Sequence, residues 1–159
     1  MSKTNEMLAV IRLYKEETGK AEVDMHEVAR WAMRKGWRSP KPKSPVDLLA
    51  REFSKAAAQE VRRSSASGRP YRAYHAVNTP SPAGQMTLWI DIDEAPRKLI
   101  HKSLIQRREQ MVGDAVQLSF DAEHWNLTHP KEEPIDVPLD FAPDVEWRKN
   151  GDDQEKQAG

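Results

Sequence analysis

Lysine and arginine side chains recur at regular spacing in the first half of the chain. Arg51, Lys55 and Arg62 are separated by four and seven residues, so on a helix they would share one exposed stripe. Lys43 and Ser44 come just before this segment. Cations in such a row neutralise phosphates along nucleic acid. The pattern indicates a phosphate-binding surface, and the alternative is a solvated helix face without a ligand.

Two further arginines and a tyrosine extend this candidate surface. Arg69 and Arg72 follow the flexible stretch Ser64–Gly68, and strand alternation places Arg72 and Tyr74 on the same side. There they could contact phosphate and sugar, whereas in the alternative Tyr74 only covers a sheet. The predicted DNA-binding residues are Lys43, Ser44, Arg51, Lys55, Arg62, Arg69, Arg72 and Tyr74.

Two clusters contain the residue types that bind metals. The first comprises His124, His129, Glu123, Glu132 and Glu133. Pro130 interrupts any regular helical spacing among them. The second comprises Asp91, Asp93 and Glu94, but no Glu-x-Lys or comparable partner follows on a second strand, as a metal-dependent nuclease would need. The sequence therefore predicts no catalytic residue, no metal site and no cofactor.

The elements that would carry the basic residues follow from capping and periodicity. A helix over residues 6–18 is followed by a short strand at 21–23. Asp24 and Glu27 form a capping-box pattern before a helix that Gly36 ends. Ser44 and Pro45 begin a third helix. Its predicted core stripe is Val46, Leu49, Ala50, Phe53, Ala57 and Val61. With a strand at 71–77, this order predicts a winged helix-turn-helix.

Residues 5–77 also resemble a known family, the HARE-type winged helix-turn-helix domain. The matching features, in order, are Gly19-Lys20, Glu27-Val28, Arg34-Lys35-Gly36-Trp37, Lys43-Ser44-Pro45 and Leu49 with Phe53. The third helix is longer than in the family, and Ser64–Gly68 replaces a tighter hairpin. The resemblance implies a nucleic-acid-binding adaptor in a family proposed to read duplex or modified DNA, and it carries no catalytic residues.

The second half of the chain has a different character. We predict a turn-rich linker at 78–85, a strand at 86–92, an N-cap at Asp93 and a long helix to about Phe120. Leu99, Leu104, Met111 and Leu118 form an apolar stripe that predicts a homodimer, or else is covered by the tail. Prolines in 129–148 predict an extended arm, and 149–159 a disordered tail.

Charge distribution and composition indicate the location of the chain in the cell and its possible partners. The net charge is zero, yet residues 1–80 carry about +7 and residues 81–159 about −7. There is no cysteine, no apolar run of membrane-spanning length and no signal-peptide pattern, so we expect an intracellular, cytoplasmic chain. The acidic half could bind a protein partner.

The predicted fold is α+β and mostly helical, with a winged helix-turn-helix domain at 1–80 and a strand, helix and arm at 81–148. The predicted function is duplex DNA binding by a dimeric regulator or accessory factor. The alternative is a protein–protein adaptor whose winged helix holds an acidic protein surface.

Overall fold

The computed structural model describes residues 2–157, and of residues 152–157 only the backbone. The elements in this part of the chain are α1 (Lys3–Thr18), α2 (Met25–Arg34), α3 (Pro45–Gln59), β1 (Val61–Arg63), β2 (Pro70–Arg72), β3 (Tyr74–Ser81), β4 (Gly84–Asp91), α4 (Arg97–Thr128) and α5 (Ala142–Gln157). The predicted class, α+β and mostly helical, is confirmed.

The chain divides into two compact units, the first ending at Arg51 and the second beginning at Glu52. This division falls inside α3. The boundary expected near residue 80 coincides instead with a β-hairpin, because Pro80 of β3 lies opposite Gln85 of β4. The segment 78–85, predicted as a linker, is therefore regular antiparallel structure.

In the first unit, α1 and α2 pack around Tyr14. Its ring meets Trp31 edge-on, with centroids 5.8 Å apart, and its hydroxyl donates to Glu27 Oε2 at 2.8 Å. Val28 and Ala32 of α2 complete this small core. Glu27 also accepts from Lys20 Nζ at 2.9 Å. The glutamate of the predicted capping box thus joins α2 to α1 rather than closing back on Asp24.

Local signals place the end of α1 and the starts of α2 and α3 correctly. Asp24 Oδ1 accepts from the His26 N–H at 2.8 Å, and Ser44 Oγ accepts from the Asp47 N–H at 3.1 Å. Gly19 adopts φ 67°, the left-handed conformation that ends α1 and that glycine takes without steric cost. The strand predicted at residues 21–23 is absent, since bends and irregular backbone occupy this segment.

The burial predicted for α3 is wrong. Val46, Leu49 and Phe53 are 76%, 57% and 68% exposed, and α3 contains no buried residue. The helix also ends at Gln59, so Val61 belongs to β1 and is exposed. A winged-helix core requires this apolar stripe to be covered. The order of three helices followed by a hairpin is present, whereas the predicted core beneath α3 is not formed.

Two small antiparallel sheets form the start of the second unit. β1 pairs with β2, with Arg62 opposite Tyr71, and β3 pairs with β4, with Val77 opposite Leu88. Ala73 joins them, because its N–H donates to the Glu60 carbonyl and its own carbonyl accepts from the Ile92 N–H. Ala73 is completely buried at this junction.

Helix α4 lies along the free edge of β3. Ser103 Oγ donates to the Ala76 carbonyl at 3.1 Å. The Gln106 amide bonds both backbone groups of Asn78, accepting from its N–H at 3.0 Å and donating to its carbonyl at 3.1 Å. These side chains occupy hydrogen-bonding groups that an uncovered edge strand would offer to another chain.

The C-terminal segment differs from its prediction in part. Residues 133–141 are irregular and fold back on α4, where Asn126 accepts from the Ile135 N–H at 2.8 Å and donates to its carbonyl at 2.9 Å. Helix α5 then begins at Ala142, inside the predicted extended arm and before the predicted disordered tail 149–159. Pro143 lies in its first turn, where a missing N–H is tolerated. Residues 158 and 159 lie outside the described residues.

Among the described residues, none of the helices has the length and apolar character needed to cross a lipid bilayer.

Candidate functional site

Helix α3 carries one group of predicted DNA-binding residues. Lys43 lies just before the helix, and Arg51 and Lys55 are exposed one turn apart on it. Within residues 2–151, Lys43 and Arg51 form no ion pair. Lys55 has only a loose contact with Glu52, at 3.7 Å, with both side chains 71% exposed. Such a contact is worth little in water and leaves Lys55 available to an anionic ligand.

Ser44 has a capping role in the structure. Its hydroxyl oxygen accepts a hydrogen bond from the Asp47 backbone N–H, and the hydroxyl donates to Asp47 Oδ2 at 2.7 Å. The Asp47 carboxylate therefore lies at the N-terminus of α3, where the helix dipole favours negative charge. This carboxylate lies one turn before Arg51 on the same side of the helix, so it would repel a phosphate at this end of the Arg51 and Lys55 stripe.

Arg69 and Arg72 lie on or beside β2. Arg72 is exposed, and its carbonyl contacts His75 Nε2 at 3.0 Å. Arg69 is half-buried, and its guanidinium reaches the Lys149 carbonyl at 3.5 Å. The hairpin therefore offers Arg72 to solvent, whereas Arg69 has contacts within the second unit.

Arg62 joins the two hairpins instead of extending the α3 stripe. Its guanidinium donates twice to Asp91, at 2.9 Å each, and once to Asp93 Oδ2 at 2.8 Å. Tyr71 donates its hydroxyl to the same Asp93 oxygen at 2.9 Å. The guanidinium also lies over the Tyr74 ring, 5.6 Å from its centroid. These contacts give Arg62 and Tyr74 a structural role.

The ionisation of this cluster follows from its geometry. Hydrogen bonds from Arg62, supported by the Asp93 backbone N–H, lower the pKa of the Asp91 carboxyl below its ordinary value of 3.8. The two carboxylates in turn raise the pKa of Arg62. The hydrogen bond to Asp93 raises the pKa of the Tyr71 phenol, because donation to a carboxylate favours its protonated form. Arg62 and Asp91 therefore form a charged pair at neutral pH.

Three of the residues that raised the question of a metal, Asp91, Asp93 and His129, have other contacts. Asp91 and Asp93 bind Arg62, and Asp93 does not cap α4, which begins at Arg97 with Pro96 before it. His129 stacks on Trp125 with ring centroids 3.5 Å apart. In the part of the chain that the structure describes, no group of three or more potential ligands is placed to hold a metal ion.

The predicted dimerisation residues remain exposed on α4. Leu99, Leu104, Met111 and Leu118 are 37%, 46%, 59% and 44% exposed. The returning segment contributes Leu139 and Phe141 beside α4 without covering these side chains. An apolar surface therefore persists along α4 after the tail has folded back.

Three polar side chains that the sequence interpretation did not single out organise the second unit. Ser103, Gln106 and Asn126 attach α4 to β3 and to the returning segment. The sequence signal that could have identified them is that polar residues interrupt the apolar stripe of α4. A side chain that bonds both groups of one backbone residue cannot be identified until the partner strand is known.

Comparison of the chain with protein-family models, curated proteins and solved structures finds no match.

Proposed function

We propose that the chain binds duplex DNA through the cationic face of α3 and acts as a homodimeric regulator or accessory factor. The observation that supports this is that Arg51 and Lys55 are exposed one turn apart on α3, with Lys43 exposed just before the helix. Arg72 supplies a further exposed cation in the second unit. Arg62 and Tyr74 are left out of the proposed contact because Arg62 is bound by carboxylates.

The proposal predicts a specific salt dependence. Each phosphate contact releases counterions, so the slope of log affinity against log salt scales with the number of contacts, at about 0.9 per contact on B-DNA. Replacing Arg51 and Lys55 with alanine should make the slope shallower by roughly 1.8. Both residues are exposed, so the double variant should fold as the parent does.

The matched control is Lys98→Ala with Lys102→Ala. These residues are exposed on α4 with the same spacing of four, and their loss changes the net charge equally. The control slope should equal that of the parent. An unchanged slope in the α3 variant, or equal changes in both variants, would remove α3 from the DNA interface.

A second function is favoured by the apolar side of α3. Val46, Leu49 and Phe53 are exposed next to the basic residues, a combination suited to an acidic protein surface with apolar contacts. This protein–protein adaptor becomes the better proposal if the parent chain does not bind duplex DNA at low salt, where phosphate attraction is strongest.

A further inference from the structure

Large apolar residues follow one another at intervals of seven along α4. Leu104, Met111, Leu118 and Trp125 are 43–59% exposed, and Ala115 and Ala122 lie four residues after Met111 and Leu118. Seven residues are nearly two helical turns, so these side chains form one line about 31 Å long. Alternating large and small residues at such spacing are the two core positions of a coiled coil.

β3 contacts another side of α4, and the returning segment borders this line only at Met111 and Ala115. β3 is bound by Ser103 and Gln106, and the returning segment by Asn126. Leu139 and Phe141 border Met111 and leave it 59% exposed. Within the described residues, the seven-residue line therefore has no covering element.

We propose that this line binds the same line of a second copy, with the two α4 helices antiparallel. In the matching register, Met111 faces Ala115 of the partner subunit, and Leu104 faces Ala122 of the partner subunit. Leu104 and Met111 then each enter the space above an alanine, which allows the central part of the two helices to approach closely. The two-fold axis crosses the pair at the level of Gly113.

Charge distinguishes this orientation from the parallel one. In the antiparallel register, Arg107 flanks the core opposite Asp121 of the partner subunit, and the symmetry forms this pair twice. In a parallel pair Arg107 would instead face Val112 of the partner subunit, and the two copies of Arg108 would face each other in the core. Opposite charges at the flanking positions select orientation in coiled coils.

Two features of the antiparallel pair oppose association. Asp114 lies near the two-fold axis, next to its own copy, and Arg108 packs its aliphatic stem against Leu118 of the partner subunit while its head stays in solvent. We therefore expect Asp114→Asn to tighten the dimer. This inference deepens the dimer part of the proposed function and does not depend on DNA binding.

Engineered cysteines provide the first test, because the chain has none of its own. In the full-length protein, Asp114→Cys should form an intermolecular disulfide under mild oxidation, since the two copies meet near the axis. Leu104→Cys should not, because the two copies lie about 27 Å apart along the helices. Cross-linking of Leu104→Cys would show a parallel pair and overturn the proposal, as would the absence of a cross-link in Asp114→Cys.

Charge exchange in the full-length protein provides the second test, by sedimentation at tens of micromolar. Arg107→Asp and Asp121→Arg should each weaken the dimer by roughly tenfold or more, because two attractive pairs become repulsive. The protein with both changes should regain most of the parent affinity. A monomeric parent, or a double variant as weak as the single ones, would overturn the proposal. DNA affinity measured on the same proteins tests the proposed function separately.

Discussion

Phe53→Ala distinguishes the exposed α3 of the structure from the buried α3 of a winged-helix core. Full burial of a phenylalanine side chain is worth about 1.5–3 kcal/mol, and Phe53 is 68% exposed. With about a third of its surface covered, truncation should cost roughly 0.5–1 kcal/mol. In a packed core the same change would cost about 3–5 kcal/mol.

Val77→Ala is the positive control for this measurement. Val77 is 2% exposed, so its truncation removes buried methyl groups and leaves a cavity. We expect a loss of about 2–3 kcal/mol. Val46→Ala, the same chemical change at a residue 76% exposed, should stay within about 0.5 kcal/mol of the parent.

Urea unfolding followed by far-ultraviolet circular dichroism measures all three variants. Because the chain has two compact units, the transitions are fitted separately if two are present. A loss of 3 kcal/mol or more for Phe53→Ala, with an unchanged urea dependence, would refute the exposed α3. It would also support the predicted winged-helix arrangement, in which the apolar stripe of α3 is buried and the basic residues are on its exposed side.

The other predictions concern the second unit. Because the Asp91 pKa is lowered in the folded state, its ionisation contributes stability that is present above its ordinary pKa of 3.8 and is lost as the pH falls below it. Asp91→Asn should therefore be less stable than the parent at pH 7, and this difference in the free energy of unfolding should become smaller in acid. The control, Asp136→Asn at an exposed position, should be as stable as the parent at every pH. A difference for Asp91→Asn that does not change with pH would contradict the pairing with Arg62. Asn126→Ala removes both bonds to Ile135, so limited proteolysis should cut residues 129–141 faster, and an unchanged cutting rate would mean that apolar contacts hold this segment.

Sequence alone determined the features of secondary structure that depend on residues only a few positions apart. The caps at Asp24 and Ser44 were predicted correctly because each side chain accepts from a backbone N–H only two or three residues away. The strand at 86–92 was predicted to within two residues, as β4 at Gly84–Asp91, from its β-branched and aromatic content. The proline-rich segment, predicted to be an extended arm over residues 129–148, is non-helical only as far as Phe141.

Tertiary structure decided the features that depend on distant partners. Asp93 has the sequence form of an N-cap, yet its carboxylate binds Arg62, which is 31 residues away. The prolines at 80 and 82 suggested a linker, but pairing with β4 makes that segment a hairpin. The α3 stripe has the periodicity of a buried face and remains exposed. Periodicity records which side chains share a face, but burial of that face depends on a second surface that the local sequence does not specify.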